Sequence, residues 1–356
     1  MKIYDLDKCL FSRRHGTYGG QAGNKDGIII DKQEWIVKYP KNTSHMKGDN
    51  LAAYTTAPLS EYIGSHIYKI LGIDVHETIL GIRQGKLVVA CKDFRKKGDD
   101  FAEMRSIKNG ANKELNEVFG KDFDTSASGD RSDLDEILFH LQYNPILLQV
   151  KNADTRFWDM SVIDILINNN DRNNGNWGLL IDEDGHRTLA PVYDNGNSFN
   201  NKLSNESLRI RLNDEKFAEK QCAIMTSFEK KGKIMYASAF LKEDEPGLKQ
   251  AIIKIVPEIK KQWDKINNLI DEIPEEFNGM KICSQVQKKY YKQSMIARYN
   301  HLLLPIYKEL VENKERAVKS PEEKSTTEKD NKATDENPQI KTEMKTCIHC
   351  PKRKTR

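Results

Sequence analysis

Apolar residues along this chain fall into two periodicities. Alternation marks strands: over 35–39, Trp35, Val37 and Tyr39 share one face while Ile36 and Lys38 share the other. A short strand over 28–30 precedes it across a turn at Asp31-Lys32-Gln33. Two more strands are predicted over 78–82 and 86–91, joined at Arg83-Gln84-Gly85. Helical spacing sets in over 58–71, where Leu59, Tyr62, Ile63, Ile67, Ile70 and Leu71 form the apolar side. Pro58 suits the first helical position and Gly72 the position just past the end. A second helix over 134–143 turns Leu134, Leu138 and Leu141 inward, and Pro145 should break or restart it. Beyond 217 the pattern is mostly helical, over 248–255, 258–270 and 286–304, with Trp263, Tyr290, Tyr299 and Leu302 to Leu304 as core. The stretch 109–130 is polar and reads as partly irregular.

The densest chemistry lies in 161–199. An apolar segment over 162–167 gives way to N-N-N-D-R-N-N-G-N, which cannot continue a helix because Asn and Asp side chains compete for the backbone. A strand over 177–181 follows, then a turn at Asp182-Glu183-Asp184-Gly185, then a strand over 188–192 that runs into Tyr193-Asp194. Asp-Gly between apolar runs is a strong hairpin signal. A turn centred near Asp184-Gly185 sets Asn176 and Asp194 roughly opposite each other at the open end, with Asp171 on the entering loop. An amide and a carboxylate so placed suit a divalent cation that holds phosphate oxygens, leaving Asp171 to accept the proton of a substrate hydroxyl. Kinases place a catalytic Asp, an Asn five residues on, and a metal-binding Asp after the next strand; Asp171 and Asn176 have that spacing of five. The bland reading is a polar loop that caps a helix and turns a hairpin.

Upstream features complete the picture. Five glycines occur in the twelve residues 16–27, among them Gly19, Gly20 and Gly23, and glycine lets backbone approach phosphates. Ordinary turns use glycine too. Lys38 sits inside a short apolar strand, where burial calls for an anion such as a nucleotide phosphate; the competing reading is an edge-strand lysine that discourages pairing. Glu61, near the start of the 58–71 helix, could pair with Lys38 or merely favour the helix dipole. Cys91, Lys92, Asp93 and Phe94 fall where a small mixed lobe would hand over to a helical one, with adenine against their backbone. The Asn- and Ser-rich run 195–211 stands where an activation or docking segment would sit.

Composition narrows the classes. The 356 residues suffice for a two-lobed enzyme, and the hydrophobic fraction of 38% supports a core. With 57 basic and 53 acidic residues the net charge is only +4, against a dedicated nucleic-acid binder. No run reaches membrane-spanning length and the first ten residues lack a secretory apolar core, so no membrane partner is expected. Six scattered cysteines read as reduced thiols of a cytoplasmic protein; signal-less export to a host cell would leave no mark. From 313 onward apolar residues nearly vanish, and a disordered charged tail is expected. Within it Cys347, His349 and Cys350 lack a fourth zinc ligand, and the basic run 352–356 reads as a solvated end.

The strand W-I-V-K-Y-P, the helix entry A-P-L-S-E-Y, the loop N-N-D-R-N-N-G-N-W-G and the strand end L-A-P-V-Y-D resemble the HipA-like serine/threonine kinases, and among them the compact stand-alone CtkA-type members, over roughly 10–310. The resemblance implies an α+β, bilobal, protein-kinase-like fold: a β-rich N-lobe over 1–94, a helical C-lobe over 95–312, and the tail. It implies ATP and Mg²⁺ as cofactors and a protein substrate phosphorylated on Ser or Thr, often the kinase itself. Carried over, Lys38 contacts ATP phosphates together with the Gly19, Gly20 and Gly23 loop and Glu61. Asp171 is the catalytic base and Arg172 beside it is counted catalytic too, Asn176 and Asp194 bind magnesium, and 91–94 is the hinge.

Three departures limit the transfer. Larger HipA toxins carry an extra N-terminal subdomain, whereas this chain starts almost at the Gly-rich loop, so no antitoxin or DNA-bound partnership is carried over. The usual histidine after D-R is Asn173. The family's regulatory serine matches only Thr17, which joins Ser198, Ser204 and Ser207 as an autophosphorylation candidate. A small-molecule or lipid kinase with the same core, or a nucleotide-binding pseudokinase, remains as an alternative.

Overall fold

The computed structural model describes residues 1–12, 25–48, 50–123 and 132–319. Thr17, Gly19, Gly20, Gly23, the segment 124–131 and the tail with Cys347, His349 and Cys350 lie outside the described residues. One compact unit spans Met1–Glu312, and a second, Asn313–Arg356, begins within the last helix.

The chain opens with β1 (Tyr4–Asp5), β2 (Lys25–Ile30) and β3 (Gln33–Lys38), followed by α1 (Ala57–Ile70), β4 (Thr78–Arg83) and β5 (Lys86–Lys92). These strands form one five-stranded sheet in the order β1-β4-β5-β3-β2. The alternation in β3 is realised: Trp35 and Val37 join Ile28, Val88, Ala90 and Leu6 in a small core on one face. The opposite face, which carries Lys38, receives α1, whose Leu59, Ile63 and Ile67 are buried in the main core with Leu80, Val89 and Cys91 of the sheet. Asp31 and Lys32 turn with positive φ, so the β2–β3 connection is tighter than the three-residue turn expected.

Then come β6 (Asp100–Glu103), α2 (Met104–Phe119), α3 (Leu134–Tyr143), α4 (Ala153–Ile167), β7 (Gly178–Ile181) and β8 (Arg187–Leu189). The first half of the stretch expected to be irregular is therefore a helix. Its inner face holds Met104, Ile107, Ala111 and Leu115, but also Lys108 and Asn112, both buried. Lys108 Nζ lies 2.8 Å from Glu136 and Asn112 donates to the same side chain, so paired polar residues on the core face hid the period. β6 adds to the predicted hairpin, giving a three-stranded sheet β6-β7-β8.

The remainder is α5 (Asn205–Leu212), α6 (Phe217–Cys222), β9 (Met225–Lys230), β10 (Lys233–Tyr236), α7 (Ala237–Phe240), α8 (Pro246–Lys261), α9 (Trp263–Asp271), β11 (Glu276–Phe277), β12 (Met280–Lys281), α10 (Gln285–Arg298), a π-helical turn over Tyr299–Leu303 and α11 (Leu304–Lys319). The break expected before residue 258 does not occur: α8 runs through Pro257, held by buried Ile252, Ile255, Val256 and Ile259, and stops at Gln262. Gly247 permits its contact with α4, since a Cβ there would lie 2.3 Å from the Trp158 ring. Helix α4 is buried along nearly its whole length and delivers the Asn-rich loop. Among the described residues no helix is long and apolar enough to cross a membrane.

Candidate active site

The centre of the site is a three-way ion cluster. Lys38 projects from the α1-facing side of β3, and its Nζ lies 2.9 Å from Glu61 Oε2 and 2.9 Å from Asp194 Oδ1. Glu61, 1% exposed, comes from the second turn of α1. Its other oxygen accepts from the Asn195 backbone N–H at 3.0 Å and lies 2.9 Å from His76 Nε2. Burial would lower the Lys38 pKa, but Asp194 and Glu61 outweigh it and hold the ammonium well above its usual range. Burial would likewise raise Glu61, yet Lys38 and His76 keep it ionised. Burial also pushes Asp194 up, and Lys38 reverses this to leave it below the ordinary carboxylate value. Asp194 itself takes φ 58°, a left-handed turn that ends the run from β8. Two glycines let α1 approach this turn: a Cβ on Gly64 would lie 2.9 Å from Asn195 Cβ, and one on Gly196 3.2 Å from Glu61 Oε2.

The catalytic-loop candidates hang from α4. The helix ends at Asn168, at φ 55°, and the chain turns into Asp171, a residue partly open to solvent. Asn173 Nδ2 donates to Asp171 Oδ1 at 3.0 Å and Asn176 Nδ2 to the Asp171 carbonyl at 2.5 Å. With its Nδ2 so committed, Asn176 has Oδ1 left to face a cation. Partial burial, with a smaller contribution from Asp194, raises the Asp171 pKa despite the Asn173 hydrogen bond. A somewhat raised carboxylate is a better proton acceptor.

The hairpin alone does not bring Asn176 to Asp194. Leu179 pairs with Leu189 and Leu180 with Thr188, so continuing the register would set Val192 opposite Asn176. Val192 instead bridges to Val75, and the chain leaves the ladder before Asp194. Arg172 makes the connection. Its Nη1 donates to the Asn176 carbonyl at 2.9 Å and also to the Tyr193 carbonyl. Its Nη2 reaches Asn195 Oδ1 at 2.6 Å, and Nε and Nη2 grip the Asp164 carboxylate at 2.9 and 3.1 Å. Arg172 is 1% exposed and Asp164 also takes the Tyr68 hydroxyl, at 2.7 Å. His76, Asp164 and Asn195 escaped sequence reasoning; a lone carboxylate within V-I-D-I-L-I was the available signal.

The HipA-like C-terminal domain model matches residues 17–273, which takes in every one of these groups. The chain belongs to that family. The serine/threonine-protein kinase CtkA of Helicobacter pylori is 28% identical over 314 residues, covering 85% of this chain and 87% of CtkA. The crystal structure of the H. pylori proinflammatory kinase CtkA superposes with a TM-score of 0.73 at 25% identity, covering 87% of this chain and 98% of that one. A chain of the Shewanella oneidensis MR-1 toxin–antitoxin complex of HipA, HipB and operator DNA matches at 14% identity and TM-score 0.48, over 85% of this chain and 69% of that one.

Other expected positions of this HipA-like chain fare differently. The Lys92 N–H donates to the Glu77 carbonyl and the Asp93 N–H to the Glu34 carbonyl, both at 2.9 Å, so neither is available to adenine. Cys91 is 2% exposed in the core, with its thiol pushed up by burial. Lys92 pairs with Glu77, and Asp93 forms a fork with Arg95. Phe94 packs in an aromatic trio with Phe101 and Tyr193, ring centroids 5.6 and 5.8 Å away. An adenine contact at Lys92 or Asp93 would therefore have to use a group other than these N–H donors. Ser198 is fully buried and its Oγ donates to the Asn195 carbonyl at 2.8 Å, so it cannot accept a phosphoryl group without local unfolding. Ser207 is buried and bonded to the Asn50 carbonyl, and half-buried Ser204 caps α5 through the Ser207 N–H. The run 195–211 is therefore packed structure ending in a helix.

Proposed function

We propose that this chain is an ATP- and Mg²⁺-dependent serine/threonine protein kinase. The observation that carries the reading is the Lys38 ammonium held 2.9 Å from both Glu61 and Asp194, beside a loop that presents Asp171 and Asn176. Lys38 holds nucleotide phosphates from its fixed place on β3. Asp171 orients the acceptor hydroxyl and takes its proton. The hard oxygens of Asp194 and Asn176 fit magnesium, which supplies charge neutralisation of the phosphates when bound. Arg172 is assigned a positioning role, because its donors all engage the protein. The four described cysteines Cys9, Cys91, Cys222 and Cys283 are free thiols, which supports a reducing cytoplasmic setting.

The test is incubation of the purified protein with labelled ATP and Mg²⁺ beside Asp171→Asn and Asp194→Ala, with phosphosites mapped by mass spectrometry. Label on Ser or Thr is expected in the wild type, with turnover of Asp171→Asn down by about 100- to 10,000-fold. Near-normal turnover in either folded variant overturns the roles. Label confined to a small molecule overturns the protein substrate.

A further inference from the structure

A cleft of about 430 Å³ opens where the chain leaving α1, the first half of α4, β8 and α8 meet. Its size is that of ligand sites, commonly about 300–1,000 Å³. It lies at the opposite end of α4 from the loop that carries Asp171, and none of its lining residues belongs to the ion cluster or that loop. Its charge is one-sided: Lys151, Arg156, Arg187 and Lys254 line it against a single carboxylate, Asp159. Lys254 pairs with that carboxylate. Arg156 donates to the neutral Asp74 carbonyl at 3.2 Å, which leaves its charge uncompensated. Lys151 and Arg187 have no acidic partner among the described residues. Like charges gathered on one wall favour an anion in the cleft between them. The first turn of α4 adds to this field, because its N-cap Asn152 makes no side-chain capping bond and Asp154 lies outside the lining.

A second feature is independent of that charge. Asp159 is 2% exposed; Lys254 engages one of its oxygens, and the other, Oδ1, has no hydrogen-bond partner. A buried carboxylate oxygen left unpaired is costly, and it calls for an N–H or O–H donor brought in by an occupant. We propose that this cleft docks a phosphorylated peptide segment. The phosphoserine or phosphothreonine dianion lies against Lys151, Arg156 and Arg187, and a neighbouring backbone N–H donates to Asp159 Oδ1. Phosphate is favoured over a single carboxylate because three cations without a counter-charge face one cleft, and because arginine forks match phosphate oxygens. A peptide is favoured over a bare anion because the occupant must also carry a donor. The binding does not depend on the catalytic reading; its use does, since in a serine/threonine kinase the site holds a substrate or product segment that is already phosphorylated.

Fluorescence anisotropy of the full chain with a labelled pool of short peptides, degenerate around one fixed phosphoserine, tests this beside the same pool carrying serine. Saturable binding of the phosphoserine pool is expected, about tenfold or more tighter than the serine pool. Lys151→Gln combined with Arg187→Gln should weaken it by about tenfold or more, as for loss of charge-assisted hydrogen bonds, while phosphate transfer to an acceptor peptide without phosphate changes less than about twofold. Each single variant should show a smaller loss of the same sign, which covers a double variant that does not fold. Equal binding of the two pools overturns the proposal, as does unchanged phosphopeptide affinity in the variants. Inorganic phosphate that binds as tightly as the phosphoserine pool shows an anion site only and overturns the peptide assignment. Docking intact in a chain that transfers no phosphate leaves the proposal standing and overturns the kinase reading alone.

Discussion

Arg172 and Asp164 offer the sharpest test of how this site is held. If Arg172 acts by positioning, Asp164→Asn should damage catalysis almost as much as changing Arg172, although Asp164 lies within α4 and faces only buried partners. The Asp164 carboxylate accepts from Arg172 Nε and Nη2, from the Tyr68 hydroxyl and from Asn169 Nδ2 at 3.1 Å. An amide in its place turns an NH₂ toward one of these donors and removes the charge opposite a buried guanidinium. Breaking one side of a buried ion pair costs about 3–5 kcal/mol, a large part of the roughly 5–15 kcal/mol that holds a domain folded. Arg172→Lys keeps the charge but replaces a planar five-donor fork with three donors on one atom, so it cannot serve Asp164, Asn195 and two carbonyls at once. Urea unfolding should show both variants destabilised. Initial rates at a temperature where both are folded should show kcat down about 100-fold, the effect of a displacement near 1 Å at the reacting groups. If Arg172 instead touched phosphate, Arg172→Lys would raise KM for ATP while Asp164→Asn left it alone. That split, or wild-type kcat in a folded Asp164→Asn, would refute the reasoning.

Two further outcomes are expected from protonation. Because burial raises the Asp171 pKa, and a base must be deprotonated to act, the acid limb of kcat/KM should lie above the usual aspartate value of 3.8; a limb at or below 3.8 removes Asp171 as the base. His140 is fully buried in α3, and burial followed by Lys108 lowers its pKa from 6.5 to about 4. The unfolded chain then takes up this proton first, so stability is lost as pH falls from 6.5 toward 4, by up to about 3 kcal/mol. Urea melts at pH 7 and 4.5 should show that loss in the wild type and a smaller one in His140→Gln; equal losses remove His140 as the source.

What could be read from the sequence, and what could not, follows the range of the forces involved. Strand β3 was legible because alternation is a local consequence of the pleat, and α1 because Pro58, Gly72 and the 3.6-residue period agree. Lys38, Asp171, Asn176 and Asp194 stood out because polar groups interrupt apolar runs at fixed spacings. The Glu61 pairing remained open until α1 was seen packed on the sheet. The groups that join these elements had no such signal. His76 and Asn195 bond to Glu61 from 15 and 134 residues away; Arg172 was picked out beside Asp171, but its reach to Asn195, 23 residues on, was not, because no local pattern encodes a contact across such separations. Helix α2 was missed for the opposite reason: its period is present but two of its inward positions are polar and satisfied across the core.

The same distinction bears on how the site is regulated. Glu61 is fixed by three partners at once, through Lys38, His76 and the Asn195 N–H, and Asn195 is fixed in turn by Arg172 and by Ser65, 3.0 Å from its Nδ2. The ion pair on α1 and the turn that carries Asp194 are therefore parts of one buried network, not two elements that meet only when a loop is ordered. Moving α1 outward would strand an ionised glutamate, the histidine and a backbone N–H in the core, each a cost of about 1–3 kcal/mol. Control by displacement of α1 is disfavoured by that sum. Control is better sought outside this network, at access to Asp171 on its loop.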